Sequence, residues 1–420
     1  MSTHSNPPSA PPLQKGASLT LLAAFLGWML DGFELGLFPV VARPALQDLL
    51  SHASEAAIGE WMGFITAAFL VGAALGGFVF GWLGDKVGRV KAMAWSILCY
   101  SLFSAAGYFA HAPWHLALFR FIAALGMGGE WALGVALVME SWPDRFRPWL
   151  AAAIGAAANV GMLLDGLLAR IFHVTPDSWR WMFLVGASPA VLTLAIRIWV
   201  PESEKWKAAV AASDSSTLSR IAPLFRPPLL RSTILGTLLS AVALIGTWGS
   251  VQWIPAWADQ LTQGTRPDAK ATVQMLSSLG AALGAWMGPL ALASIPRRWA
   301  YGTLCALSLG MSAWLFRAHA EWGALFQFKV FLLAFFSASF YGFFPLYFPE
   351  LFPTRIRATG QGLCYNAGRL IAAGGAIASG NLVAHFGGYA PMGAVITLVY
   401  LAGILFCFAC PETRGKPLPE

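Results

Sequence analysis

The sequence predicts an all-α membrane protein with twelve transmembrane helices arranged as two related six-helix halves. Hydrophobic residues make up 57% of the chain, charged residues only 11%, and mean hydropathy is +0.62, whereas an average soluble domain is roughly 25% charged. The octet ESWPDRFR at residues 140–147 returns as ELFPTRIR at residues 350–357, so its acid, proline and both arginines recur after half of the 420 residues. A repeat at this distance indicates a duplicated unit.

Each predicted helix is an apolar stretch between charged or Pro/Gly-rich breaks. A bilayer core of about 30 Å needs roughly 20 such residues at about 1.5 Å per residue. The predicted spans are approximately residues 19–41, 60–83, 92–110, 115–138, 148–170, 180–200, 231–254, 271–294, 299–317, 325–348, 358–384 and 389–410. The tripeptides PES at 201–203 and PET at 411–413 repeat with the same offset and close the two halves.

The polar segments define the domain organisation. Residues 1–18 are predicted to be a disordered tail, 19–202 the first bundle, 203–230 a linker, 231–410 the second bundle and 411–420 a second tail. Both tails and the loops after even-numbered spans hold most of the 27 Lys and Arg residues. Because basic loops stay in the cytoplasm, we expect a multi-pass inner (plasma) membrane protein with both termini cytoplasmic.

Composition also excludes several functions. The net charge of +7 and the pI near 9.3 come from basic residues scattered over loops that face anionic lipid, so we expect no nucleic-acid partner. The five cysteines lie in apolar stretches without metal-ligand spacing. We find no hydrolytic triad or phosphate-binding loop, and we predict a protein that is not an enzyme and needs no cofactor or metal.

Several motifs resemble those of the major facilitator superfamily of secondary transporters. The run GWLGDKVGRVK at 81–91 is similar to its loop signature, G-x-L-A/G-D-R/K-x-G-R-x-R/K, and RFIAALGMGGE at 120–130 to its fourth-helix signature. The tripeptides at 201–203 and 411–413 are similar to motifs after the sixth and twelfth helices of sugar-porter-like members. This resemblance covers essentially the whole chain. It implies two bundles that rock about a central site to give alternating access.

The resemblance also implies a gate, because the family's signature loop helps to hold one gate conformation. The repeated octet would then form an ion-paired turn after the fourth and tenth helices. The second copy of the loop has no acid at Ile295, the counterpart of Asp85, so we expect asymmetric gate contacts. The gate candidates are Asp85, Arg89, Arg120, Glu140, Arg147, Glu350 and Arg357.

The few acids inside the predicted spans are candidates for proton coupling, since an ionisable group in hydrocarbon costs a few kcal/mol. The pentapeptide LDGFE at 30–34 is similar to the Asp-Gly-x-Asp element of proton symporters for aromatic acids and sialic acid, with Glu34 where Asp is usual. We predict that Asp31, Glu34 and Glu130 carry protons. The alternative is that Asp31 and Glu34 brace the first helix against Arg120 or a backbone amide. The role of Asp165 in the fifth span stays open.

The deep cation of the second half is the candidate for binding substrate. The 210-residue offset pairs Arg369 with Asn159, and a guanidinium offers a planar fork of donors that suits a carboxylate. We predict that Arg369 binds substrate with support from Asn159, Asn366, Gln252 and Tyr341. The alternative is that Arg369 pairs with Asp165 or Glu130 and only holds the halves together.

The sequence therefore predicts a secondary active transporter, a monomer in the bilayer, that carries a small organic anion together with protons. The anion would be a sugar acid such as sialate, or an aromatic or other carboxylate. A neutral sugar symporter or facilitator, an efflux pump and a transporter-like sensor remain alternatives. The intact loop at Asp85 and Arg89 favours a cycling gate over a sensor.

Overall fold

The computed structural model describes residues 16–50, 55–171, 176–188, 190–191, 196, 198–211, 222–262, 266, 269–317, 321–386 and 388–420. Over these residues the regular structure is helical and contains no strand. The α-helices are α1 (Ala17–Leu50), α2 (Glu55–Val87), α3 (Arg89–Ala106), α4 (Pro113–Ser141), α5 (Arg147–Ile171), α6 (Trp179–Gly186), α7 (Glu204–Ala211), α8 (Leu229–Gly249), α9 (Ile254–Leu261), α10 (Ala269–Leu292), α11 (Arg297–Phe316), α12 (Ala324–Tyr347), α13 (Arg357–Phe386), α14 (Tyr389–Ile396) and α15 (Val399–Cys407).

The helices confirm the predicted membrane fold. Among the described residues, 10 helical segments are long and apolar enough to cross a bilayer, and they correspond to predicted spans one to five, seven to ten and twelve. The eleventh predicted span is α13, a helix of 30 residues. The sixth, residues 180–200, begins with α6 and then runs through positions outside the described residues. Parts of the predicted first tail (1–15) and linker (212–221) also lie outside them.

The signature loop ends where a tight turn leads into α3. Gly88 has φ 111°, a left-handed conformation that favours glycine, and a Cβ there would lie 2.2 Å from Oε2 of Glu202. The Glu202 carboxylate accepts hydrogen bonds from the backbone N–H groups of Arg89 (3.0 Å) and Val90 (3.1 Å). It therefore caps the amino terminus of α3, where a negative charge is stabilising.

The two halves meet along a tight interface. Helix α2 packs against α13, and α5 packs against both α10 and α12. A Cβ on Gly155 of α5 would lie only 2.4 Å from the Cα of Gly342 in α12. One apolar cluster also combines residues of both halves, including Trp131 and Ile154 with Phe344 and Phe348. The backbones approach closely here because glycine leaves the space that a side chain would fill.

The carboxyl-terminal residues 411–420 pack against the bundle. Leu418 is buried, and the carbonyl oxygen of Pro419 accepts a hydrogen bond from the N–H of Thr354 at 3.2 Å. The guanidinium of Arg147, in the first half, donates to the carbonyl oxygen of Lys416 at 3.2 Å. The predicted second tail is therefore an ordered contact between the halves.

Candidate functional site

An ion-pair cluster closes one face of the molecule. We call it the gate network and define it as Asp85, Arg89, Glu140, Glu350 and Arg357. Arg89 pairs with Asp85 at 2.5 Å and with Glu140 at 3.1 Å, and Glu140 pairs with Arg357 at 3.2 Å. All five residues are buried. Buried charges are costly unless they are paired, so the network is stable only while these partners stay together.

Several of these contacts join one half to the other. Asp85 accepts hydrogen bonds from the backbone N–H of Thr359 at 2.8 Å and from its hydroxyl. Arg89 donates to the carbonyl oxygen of Thr354 at 3.0 Å, and the Arg357–Glu140 pair also crosses the interface. The halves must separate here before a central site can open to this face.

The structure adds a contact to the gate network that the sequence analysis missed, from Arg297 to Glu350. The guanidinium of Arg297 binds Glu350 through two hydrogen bonds of 3.1 Å, whereas Arg89 binds Glu140 through one of 3.1 Å. Thr413 donates to Glu350 at 2.5 Å, as Ser203 does to Glu140 at 2.6 Å. The 210-residue offset hides this equivalence, since Arg297 follows Arg89 by 208 residues. The available signal was that each arginine begins a helix, α3 or α11.

Among the predicted gate residues, Arg120 lies elsewhere. Arg147 contacts the gate network through Glu350 at 3.7 Å, but Arg120 forms a buried ion pair with Glu34 inside the first half. Its guanidinium also lies 4.7 Å from the ring centre of Phe69, and Ser104 donates to Glu34 at 2.8 Å. Glu34 is thus held by a cation and a hydroxyl, which was the bracing alternative considered for the first-helix acids.

Asp31 and Glu130 form a second, different acid site. Their carboxyl groups lie within hydrogen-bonding reach of each other, and no donor among the described residues bonds to any of their four carboxyl oxygens. A Cβ on Gly27 would lie 1.9 Å from Oε1 of Glu130, so this glycine provides space for the pair. Two ionised carboxylates in contact repel strongly, so such a pair is compact only when it shares a proton.

A central cavity lies between the halves. It has about 860 Å³ of empty space, including the part open to solvent. The first half contributes a largely apolar wall with Trp28, Leu35 and Met162. The second half contributes most of the polar groups, which are Thr247, Gln252, Gln274, Ser277, Ser278, Ser337, Tyr341 and Arg369. Such a cavity suits a ligand with one apolar face and one hydrogen-bonding edge.

Four of the five predicted substrate residues line this cavity: Arg369, Asn159, Gln252 and Tyr341. The fifth, Asn366, is fully buried outside the lining; its amide donates to the carbonyl oxygens of Gly362 at 2.9 Å and Gly128 at 3.4 Å. Sequence analysis did not anticipate the serines of α10 and α12, because isolated serines in apolar helices give no distinctive pattern. The buried hydroxyl of Ser277 has no hydrogen-bond partner among the described residues.

Arg369 has no ion pair with an acid among the described residues. It donates to Oδ1 of Asn366 at 3.0 Å, its Nε is buried without a partner, and it forms no ion pair with a carboxylate among the described residues. Asp31 lies within its electrostatic range. The predicted alternative, a pair with Asp165 or Glu130, is not formed. A buried guanidinium with a free edge on a cavity is suited to receive an external anion.

Comparison with known proteins agrees with this architecture. The chain is 28% identical over 394 residues to the sialic acid transporter NanX of Escherichia coli (strain K12), covering 93% of the chain and 92% of the relative. It is 27% identical over 416 residues to the cis,cis-muconate transport protein of Acinetobacter baylyi (strain ATCC 33305 / BD413 / ADP1), covering 95% of each.

A solved structure shows the same fold. The proton:xylose symporter XylE bound to 6-bromo-6-deoxy-D-glucose superposes with a TM-score of 0.79 at 20% identity, covering 96% of this chain and 98% of that one. The family described as Major Facilitator Superfamily matches residues 17–326. The chain is therefore a multi-pass membrane transporter protein of the Major Facilitator Superfamily.

Proposed function

We propose that this protein is a proton-coupled symporter for a small organic anion. The observation that carries the proposal is Arg369, a buried guanidinium that lines the central cavity, has no carboxylate partner among the described residues, and lies within electrostatic range of Asp31. Relatives named for sialic acid and muconate transport support an organic acid as the cargo. We further propose that the protein is a monomer in the inner membrane, with the gate network and both termini on the cytoplasmic side.

The substrate would bind with its carboxylate on Arg369. The planar guanidinium can donate two parallel hydrogen bonds to a carboxylate. Asn159, Gln252 and the free hydroxyl of Ser277 would bind polar substituents, while Trp28 would contact an apolar face of the ligand. This division of the cavity favours a ring that carries both hydroxyl and carboxylate groups over a purely aliphatic acid.

Proton coupling would follow because Arg369 lies within electrostatic range of Asp31. While the guanidinium is unoccupied, its charge stabilises ionised Asp31. An anion bound to Arg369 cancels that charge, so anion binding and proton binding at the Asp31 and Glu130 pair favour each other. A coupling free energy of about 1–3 kcal/mol, typical between linked sites, corresponds to roughly 5–150-fold in affinity. Glu34 keeps its own cation, Arg120, and would be less directly involved.

Binding and uptake in proteoliposomes test the proposal. We would measure sialic acid and benzoate, with xylose as the neutral control, at several pH values and with an inward proton gradient. Carboxylate affinity should rise as pH falls, Arg369→Ala should weaken it by roughly 10–150-fold, and Asp31→Asn should remove the pH dependence. Asp177→Asn, at an exposed acid, is the matched control and should behave like the unmodified protein.

Each alternative has its own outcome. Uptake of xylose with no carboxylate binding would identify a neutral sugar transporter. Carboxylate binding without accumulation under any gradient would identify a sensor. Wild-type carboxylate affinity in Arg369→Ala would remove the central residue of the proposal.

A further inference from the structure

An aromatic stack joins the two halves between the cavity and the gate network. Trp131 of α4 and Tyr365 of α13 lie with ring centres 4.6 Å apart and planes at 24°, and both are buried. Tyr365 lines the cavity, whereas Trp131 is absent from the lining. Tyr365 follows Arg357 by 8 residues on the same helix, a distance of about 12 Å, so the stack is a second layer of contact above the gate network.

Arg369 touches this layer at two points. Its Cζ lies 5.0 Å from the ring centre of Tyr365, and its Nη1 donates to Asn366 at 3.0 Å. Asn366 in turn donates across the interface to the carbonyl oxygen of Gly128 in α4. A Cβ on Gly77 of α2 would lie 1.8 Å from Nδ2 of Asn366, so the first half encloses this amide. The residue proposed to bind the anion therefore also supports both contacts that close the cavity floor.

We propose that Trp131, Tyr365 and Asn366 form an inner gate, and that Arg369 holds it closed until an anion engages the guanidinium. A carboxylate bound in the plane of the guanidinium competes with Asn366 for its N–H groups and draws its charge away from the Tyr365 ring. The stack and the Asn366 bridge to Gly128 then lose their support, and the halves can separate at this level. The role of the anion rests on the proposed function, but the role of the stack does not.

The stack can be tested without substrate by measuring the distance between the halves. Spin labels would be placed on Lys86→Cys and Arg226→Cys, which are exposed positions at the end of α2 in the first half and directly before α8 of the second half. The background would carry Cys99→Ser, because Cys99 is the one partly exposed native cysteine. Trp131→Leu should raise the ratio of open to closed distances by roughly two- to tenfold, the range expected for loss of an aromatic pair.

Conservative variants separate gating from folding. Tyr365→Phe keeps the stacked ring and should keep the wild-type distance ratio, while Tyr365→Leu should match Trp131→Leu. Because Trp131 does not line the cavity, Trp131→Leu should leave the dissociation constant for the anion within about threefold while changing the maximal transport rate. Equal distance ratios in the Leu variants and the unmodified protein would overturn the inner gate.

The link to Arg369 needs the anion. Saturating sialic acid or benzoate, whichever binds in the affinity assay, should raise the open fraction in the unmodified protein, and Arg369→Gln should open without anion. An anion that binds but lowers the open fraction would overturn the control by Arg369. Failure of Arg369→Ala to weaken anion binding would contradict the proposed function instead. The substrate-free distance measurement on Trp131→Leu would still test the inner gate independently.

Discussion

Glu140 and Glu350 occupy equivalent places in the repeated octet, yet only the charge of Glu140 should hold the two halves together. Glu140 accepts hydrogen bonds from Arg89 (3.1 Å) and Ser203 (2.6 Å) of its own half and from Arg357 (3.2 Å) of the other. We predict that Glu140→Gln opens the gate network. The change removes the negative charge that holds Arg357, a fully buried cation, across the interface.

The size of the effect follows from the lost inter-half contact. A hydrogen bond to a charged group contributes about 1.5–3 kcal/mol, and each 1.4 kcal/mol is a factor of ten. The ratio of open to closed molecules should therefore rise by roughly 10–150-fold. The bonds from Thr359 to Asp85 and from Arg89 to Thr354 remain, so the closed form should still be populated.

Glu350→Gln is the matched control. Its short hydrogen bonds come from Arg297 (3.1 Å) and Thr413 (2.5 Å) in its own half, and its contact with Arg147 across the interface is longer, at 3.7 Å. Both variants should melt at lower temperature, because Glu140→Gln leaves Arg357 and Glu350→Gln leaves Arg297 without its buried charge partner. Only Glu140→Gln should change the distance between spin labels at positions 86 and 226. An equal change in both variants would refute the assignment of the inter-half charge to Glu140.

Three further predictions address the rest of the site. Gly27→Ala should abolish the pH dependence of anion binding, because its Cβ would lie 1.9 Å from the Glu130 carboxyl; unchanged pH dependence would show that the acid pair is not the proton site. Asn159→Asp should weaken carboxylate binding by about tenfold or more, since it adds a negative charge to the cavity lining, whereas Asn159→Ser should have a smaller effect in the same binding assay. Outside the spans, burial raises the pKa of Asp48 but hydrogen bonds from Arg180 and Trp179 outweigh it, so the pKa is lowered. This stabilisation should be present above pH ~4 and be lost as pH falls further, and Asp48→Asn should remove this acid dependence of the melting temperature at a cost within about 1 kcal/mol.

Sequence reasoning could predict the fold because the bilayer imposes a simple rule. Every backbone polar group in lipid must be paired inside a helix, so apolar length alone predicts each span. The repeat then predicted two halves, and the acids and arginines of the octet predicted an ion-paired turn. The structure has this turn at both copies, with Glu140 and Glu350 each bound to an arginine at the start of a helix.

The partners of the buried charges could not be derived in the same way. Arg120 was assigned to the gate, but in the structure it contacts Glu34, a residue 86 positions away in the sequence. Asn366 was predicted to support Arg369 in binding substrate, yet a helix has several faces and this amide points into the interface. Which face meets which neighbour depends on how the helices are rotated, and an unbroken apolar helix carries little periodicity that could set that rotation.

The short segment from Gly128 to Trp131 in α4 connects the proposed proton site with the proposed inner gate. The carbonyl oxygen of Gly128 and the ring of Trp131 both meet α13, through Asn366 and Tyr365, as expected for positions three residues apart on one helix face. Glu130, between them, turns away from that face and meets Asp31 of α1. A shift of this turn that separates the acid pair must also move its contacts with α13, because its residues share one rigid backbone. Proton release at Glu130 and loosening of the inner gate are therefore expected to occur together, and a Trp131→Leu variant should transport anion with fewer protons per molecule than the unmodified protein. An unchanged proton-to-anion ratio in that variant would show that the two faces of α4 act independently.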